Sequence, residues 1–389
     1  MDTQENEKLH ISAQAVRSAL VTCTAAVLAL VVTVGVLWQL PFGTSGREAV
    51  HPKPADVSVM DRFDGYVAVS LEDALADMVP IRWIYTLDDA DLIAPEPNPA
   101  CYGTSKDPSE LQWILDAAKE TLGVENTIFT TETKIMPGSQ VVYYLDDSIF
   151  VVTWKQVVDW SVFSMSEVKI AHSSQLRRYL SDGYYGSESL YEPTAMAKTV
   201  NAVTASAGDF YNFRPWGIHV YMGQVMNVET IVDSCSIDEN GDMLFTRAGE
   251  IQTMEQAQAF VEEHNIRFSL AFGPVMVEDG VNVVPSQYPL GEIHDRYARG
   301  AFCQVDTLHY LMVASNQQGG YQGVFNTTNF ADRLVRLGVR HAYAVDGGQT
   351  AAIITNDKLI NRPVFGFQRP MSDIIYFATA IPEEKWMEE

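Results

Sequence analysis

The chain has 389 residues, 47% of them hydrophobic, which is enough for one large domain or two ordinary ones and too apolar for wholesale disorder. Its 50 acidic and 26 basic residues leave a formal net charge of -24. That excludes nucleic acid as a partner, because neutralising phosphates takes lysine and arginine, and it weakens docking on anionic lipid.

The first element is an apolar run at 19–38, "ALVTCTAAVLALVVTVGVLW", uncharged throughout. Twenty residues of helix reach about 30 Å, the thickness of a hydrocarbon core. Trp38 sits where an interfacial aromatic belongs, and Arg17 abuts the other end. The run predicts a single-pass anchor in the cell membrane, with 1–18 as a cytoplasmic tail and the main domain extracytoplasmic. A cleaved signal peptide is the rival reading, but the run is long for one and no A-x-A site follows. Prolines mark 39–60 as a linker.

The remainder is expected as an N-terminal α/β portion at 61–190 and a second domain at 191–381. "SLEDALADMV" predicts a helix with Ser70 as its cap, and "SELQWILDAAKETLG" a second, capped by Ser109 and stopped by Gly123. The stretch between them, "IAPEPNPACYGTSKDP", reads as loop. From about Thr127 the period changes to two. "SQVVYYLDDSIFVVTWKQ" reads as two strands about an Asp-Asp-Ser turn, and "VFSMSEVKIA" as another. "TAMAKTV" starts a helix that leads into a buried strand, a Gly-Asp turn and a strand from Gly217.

"DSCSIDENGDMLFTRAG" reads as a hairpin about Asn240-Gly241. Its acid run is reminiscent of a calcium loop, but the twelve-residue pattern is incomplete. Thr253 caps a helix over "TMEQAQAFVEEHNI", and Thr327 or Thr328 caps "TTNFADRLVRLG". "TLHYLMVAS", "RHAYAV", "TAAIIT", "KLIN" and "SDIIYFAT" read as strands. Short strands joined by tight turns, without regular β-α-β alternation, predict an α+β fold with a mixed or antiparallel sheet and flanking helices.

The four cysteines form no C-x-x-C pair, and the scattered histidines form no zinc or Ser-His-Asp pattern; His219 and His341 lie within strand patterns and read as structural. Trp154, Trp160 and Phe163 read as core rather than a sugar platform. Polar groups instead gather at four turns that follow apolar strands: Gly208-Asp209, Gly273-Pro274, Arg296 to Gly300, and Asp346-Gly347-Gly348. Glycine lets a ligand approach the backbone, and a carboxylate there can serve as base, nucleophile or cation ligand. Any one of these turns taken alone reads as a plain turn.

Together, in this order, the turns resemble the phosphodiester glycosidase family over about residues 195–380. The matching runs are Ala207-Gly208-Asp209-Phe210-Tyr211; Gly273-Pro274-Val275-Met276-Val277 with Gly280; Arg296-Tyr297-Ala298-Arg299-Gly300; and Val345-Asp346-Gly347-Gly348-Gln349-Thr350. Ala207 replaces the family's usual Asn, and Gln349 and Thr350 replace Gly and Ser.

The resemblance implies hydrolysis of glycosyl-1-phosphate linkages in envelope or extracellular glycans. Asp346 and Asp209 would be the carboxylates and Arg296 the phosphate clamp, with Gly208, Gly273, Gly300, Gly347, Gly348 and Thr350 lining the substrate. The same acids could hold a divalent cation, calcium being the natural choice outside a cell. Because Ala207 cannot hydrogen-bond a sugar as Asn can, a non-catalytic glycan-binding or exopolysaccharide-associated envelope protein is the alternative.

Overall fold

The computed structural model describes residues 86–317 and 325–387. The expected tail, anchor at 19–38, linker and Ser70 helix lie outside them. Among the described residues no helix is long and apolar enough to cross a membrane.

A nine-stranded sheet carries the domain, in the spatial order Tyr102–Ser105, Val141–Leu145, Ile149–Val158, Ser161–Ile170, His309–Gln317, Arg299–Asp306, His341–Val345, Val275–Glu278, Val281–Asn282. A five-stranded sheet runs Lys358–Leu359, Ile353–Thr355, Thr204–Ala207, Asp373–Phe377, Leu176–Leu180. Two smaller sheets, built from Ser234–Ile237, Met243–Thr246 and Phe268–Leu270 and from Gly217–Tyr221 with Gln224–Glu229, complete the set. The pairings within the two large sheets are antiparallel. Segments before residue 191 supply strands to both large sheets, and Ser161–Ile170 pairs with His309–Gln317 along its length.

The period of two explains the layers, because successive side chains of a strand point to opposite faces. Along His341–Val345, Ala342 and Ala344 face one core while Tyr343 and Val345 face another. Ala301 and Cys303 of Arg299–Asp306 join the first core and Phe302 the second. The first core is covered by helices Gln112–Leu122 and Thr327–Leu337 through Ile114, Ala118, Phe330 and Leu334. The second holds the two large sheets together, with Ile353, Ile375 and Phe377 across from Tyr310 and Met312. Helix Pro193–Thr199 closes the outer face of the five-stranded sheet through Met196 and Ala197. Each fully buried large apolar side chain contributes roughly 1.5–3 kcal/mol.

Several local expectations shift by a residue or two. Asp107 is the cap, through a short 3-10 turn, where Ser109 was expected, and Asn326 caps the Thr327–Leu337 helix in place of Thr327 or Thr328. In both, the earlier residue offers a carbonyl-type side-chain oxygen to a free N–H of the first turn. Thr253 caps Met254–His264 as expected, with Gln256 closing a capping box. Tyr102–Ser105 is a strand within a stretch that reads as loop. The acid run about Asn240-Gly241 is a hairpin, with Asp238 accepting the N–H groups of Asn240 and Asp242. Trp154 and Phe163 are core, whereas Trp160 is 81% exposed at a turn.

Candidate active site

The strand His341–Val345 delivers Asp346 at its end, between neighbours Arg299–Asp306 and Val275–Glu278. The glycines there answer to close backbone approach. A Cβ on Gly347 would stand 2.7 Å from the Ala298 carbonyl oxygen, and one on Gly300 would stand 2.8 Å from the Asp346 carbonyl oxygen. The Gly348 N–H donates to Ala298 O at 2.8 Å and the Asp346 N–H to Gly208 O at 3.0 Å. The segments 207–210, 298–300 and 346–348 are therefore laced together through their main chains.

A cavity of about 170 Å3 opens at this turn, lined by Asp346, Gly347, Gly348, Gly273, Gly300, Arg214, Arg299 and Glu292 among others. Burial pushes the Asp346 carboxyl up to about 7; Thr350, the charges of Arg214 and Arg369, and the Gly347 N–H act against that rise. Arg214 makes a two-point ion pair with Glu292, at 3.1 and 2.8 Å, and lies over the Phe272 ring. Arg299 donates to the carbonyl oxygens of Glu292 (2.7 Å) and Asp295 (2.5 Å), while its Nε is buried without a partner. Burial lowers the pKa of Arg299. Two guanidiniums, Arg214 and Arg299, lining one cavity with a carboxyl raised to about 7 make an anion-receiving site with an acid-base group at its edge.

Asp209 does not share this cavity. It is fully buried, pairs with Arg178 at 2.6 Å, and accepts the N–H groups of Ala271 (2.7 Å) and Tyr211 (3.0 Å). Asp373 flanks Arg178 on the other side at 2.9 Å and accepts from the Asp209 and Phe210 N–H groups. Burial, then the nearby Asp209, pushes the Asp373 carboxyl up, and Arg178 opposes them. The expectation of Asp209 as a reacting carboxylate is corrected accordingly: every oxygen it has is committed to holding the 208–211 turn. Gly208 belongs to the same device, since a Cβ there would collide with the Asp373 carboxylate.

Arg296 is likewise corrected. It is exposed and is not among the residues lining the cavity, whereas Arg299, at the start of its strand, is. Thr350 is buried behind the turn, its N–H on Gly347 O at 3.1 Å. Ala207 is packed in an apolar cluster with Met196 and Ile374. His219 is buried, and burial lowers its pKa to about 3, which keeps it neutral. Arg214, Arg369 and Arg178 were not singled out from sequence, and Arg299 stood inside the run Arg296 to Gly300 with no role given to it.

The charged neighbours of Asp346 are guanidiniums, which does not suit a divalent cation. Among the described residues no group of three or more His, Cys, Asp or Glu side chains could hold a metal ion.

Residues 198–378 match the family model described as phosphodiester glycosidase. They form a phosphodiester glycosidase domain. Gly208, Gly273, Gly300 and Asp346, which are laced together or line the cavity above, fall within the matched residues. The catalytic domain of zebrafish N-acetylglucosamine-1-phosphodiester alpha-N-acetylglucosaminidase is similar at 14% identity and a TM-score of 0.49, over 59% of this chain and 83% of that one. A hypothetical protein from Synechocystis is similar at 13% identity and a TM-score of 0.48, over 62% of this chain and 66% of that one, a little under two thirds of its length. No curated protein sequence matches.

Proposed function

We propose that the phosphodiester glycosidase domain hydrolyses glycosyl-1-phosphate diesters, with glycans of the cell envelope or its surroundings as the source of substrate. The observation that carries this is the Asp346 carboxyl, raised to about 7 at the rim of a cavity that holds Arg214 and Arg299. Water adds across the anomeric C–O bond. Its oxygen ends on the anomeric carbon and a proton passes to the leaving phosphate oxygen, giving a free sugar and a phosphate monoester.

Asp346 as carboxylate takes the proton from the attacking water and faces the cationic anomeric centre. Glu292 is engaged by Arg214, so Asp346 is the carboxylate available for this step. Arg299 receives the phosphate. A phosphate is a weakly basic leaving group, which is why a site with one such carboxyl and several guanidiniums suits this bond. The location outside the cytoplasm rests on the apolar run at 19–38.

The packed Ala207 supports the second reading, a glycan-binding protein that does not cleave, because the hydrogen-bonding side chain usual at that position is missing. Full-length protein incubated with a panel of sugar-1-phosphate diesters, with and without calcium, separates the two. Release of reducing sugar in step with phosphate monoester is expected. Binding without release would move the protein to the second reading.

A further inference from the structure

A second cavity, about 670 Å3, is lined by Phe210, Asn212, Phe213, Glu188 and Arg369 among others. Arg369 lies over two of its rings, the guanidinium 5.1 Å from the Phe210 centroid and 5.3 Å from that of Phe213. The Phe213 ring also carries the guanidinium of Arg214, at 5.8 Å, and Arg214 lines the Asp346 cavity. The charges of both arginines hold the Asp346 carboxyl down against its burial, so Arg369 stands within electrostatic reach of that group. The arginines of this region differ in what occupies them. Arg214 is paired with Glu292, Arg178 with Asp209 and Asp373, and Arg299 donates to two main-chain carbonyls. Arg369 is half-buried, and among the described residues it has no ion pair, Glu188 of its own cavity included, and donates no hydrogen bond.

The chain on both sides of Arg369 is held in place. The Gln368 side chain accepts the Thr194 N–H at 3.2 Å and donates to the Thr194 hydroxyl at 2.8 Å. Met371 exchanges two main-chain hydrogen bonds with Tyr191, at 2.9 and 3.1 Å. The two rings are held as well, since the Phe210 N–H donates to Asp373 at 2.8 Å and the Phe213 N–H to Phe210 O at 2.9 Å. A guanidinium resting on rings keeps its N–H groups for an anion, and here its position is set before any anion arrives.

We infer that Arg369 binds the phosphate of the substrate together with Arg299, and so is a further residue that selects for the phosphodiester. A diester phosphate has two non-bridging oxygens that share its negative charge, and each can accept from a different guanidinium. Charge builds on the phosphate as the anomeric C–O bond breaks, and a cation with no carboxylate of its own offsets that charge more than Arg214, which Glu292 neutralises. The inference rests on reading Asp346 as the hydrolytic carboxylate.

The test uses full-length protein, the methyl diester of the sugar 1-phosphate that it cleaves fastest, and methyl phosphate as an inhibitor carrying the phosphate alone. Arg369→Met should lower kcat/KM about tenfold or more and raise the inhibition constant of methyl phosphate by a similar factor, as expected for the loss of one charged hydrogen-bonding partner. Arg369→Lys keeps the charge without the fork and should recover only part of both. Circular dichroism confirms the fold of each variant. An inhibition constant that Arg369→Met leaves unchanged overturns the inference, whatever happens to kcat/KM, because a residue that only braces the two rings would leave phosphate binding alone. If Arg369→Met does not fold, Arg369→Lys decides: a raised inhibition constant sustains the inference and an unchanged one refutes it. If wild-type protein cleaves no diester, the hydrolase reading falls, and calorimetric titration with methyl phosphate decides the anion site. Binding that Arg369→Met weakens sustains it, and binding that the variant leaves unchanged, or no binding at all, refutes it.

Discussion

Asp209 and Asp346 look alike in sequence. Each follows an apolar strand, each stands beside glycine, and the main chains of their turns meet where the Asp346 N–H reaches Gly208 O. Their surroundings drive them apart. Asp209 is enclosed with Arg178 and backbone donors, so its charge is a structural fixture. Asp346 is pushed up to about 7 and opens on a cavity with cations at a distance. A carboxylate with all its oxygens satisfied holds a loop, and one left under-satisfied at a cavity is free to exchange protons. Each prediction below tries to collapse that distinction.

The largest effect belongs to Asp346→Asn. The amide keeps the shape and removes the proton acceptor, so turnover of a sugar phosphodiester should fall by about a thousandfold or more with the fold unchanged. Steady-state kinetics at neutral pH measure this. Activity within a few-fold of wild type would make Asp346 no more than a turn residue.

Arg178→Met comes next, and it strikes the other turn. Two carboxylates, Asp209 and Asp373, would be left buried without their cation. Breaking a buried pair in this way costs about 3–5 kcal/mol, so denaturant unfolding should show a loss of that order. Activity should fall only as far as the 208–211 turn loosens its hold on the Asp346 backbone. A variant as stable as wild type would mean that Asp209 is not the fixture described.

Gly347→Ala tests the lacing between the turns. The added Cβ meets main chain at 2.7 Å, and a carbonyl cannot swing aside as a side chain could. A loss of about 1–3 kcal/mol in stability is expected, together with lower activity, because the displaced atoms belong to 298–300 and 346–348 at the cavity rim. Unchanged stability and kinetics would show the turn to be slack.

Much of the fold was legible because it rests on local signals. Strands such as His341–Val345 are short apolar runs ended by turn residues, Thr253 and Gln256 form a capping box, and Gly123 and Gly338 take left-handed conformations at helix ends. What escaped was set by distant partners. Leu176–Leu180 reads as polar through Arg177 and Arg178, yet both are buried, because Tyr376, Asp373 and Asp209 arrive from elsewhere in the chain. The motif glycines and Asp346 showed in sequence for the same reason that short spans show, since a turn announces itself. Arg214 and Arg369 did not, since Arg214 is paired with Glu292 far along the chain and Arg369 lies over the Phe213 ring from more than a hundred residues away. Arg296 and Arg299 stand three residues apart, and only the strand start decides which of them meets the cavity.

The smallest effect concerns pH, and it weighs what the Asp346 environment does to stability. The folded carboxyl titrates near 7, above its unfolded value of 3.8, so the folded state favours the protonated form. That contribution to stability is fully present below about pH 4, declines as pH rises, and is gone above about pH 7. Partial exposure to the cavity limits the difference to about 1–2 kcal/mol, less than the full shift implies, and hence to a few degrees in melting temperature. Asp373 is raised as well, but it is present in wild type and in Asp346→Asn alike, so their difference isolates Asp346. The variant should melt with wild type at pH 4 and several degrees above it at pH 8, and a constant gap between the two curves would refute the assignment. Wild-type kcat/KM should climb over the same interval, because the ionised carboxylate that weakens the fold is the form that accepts the proton.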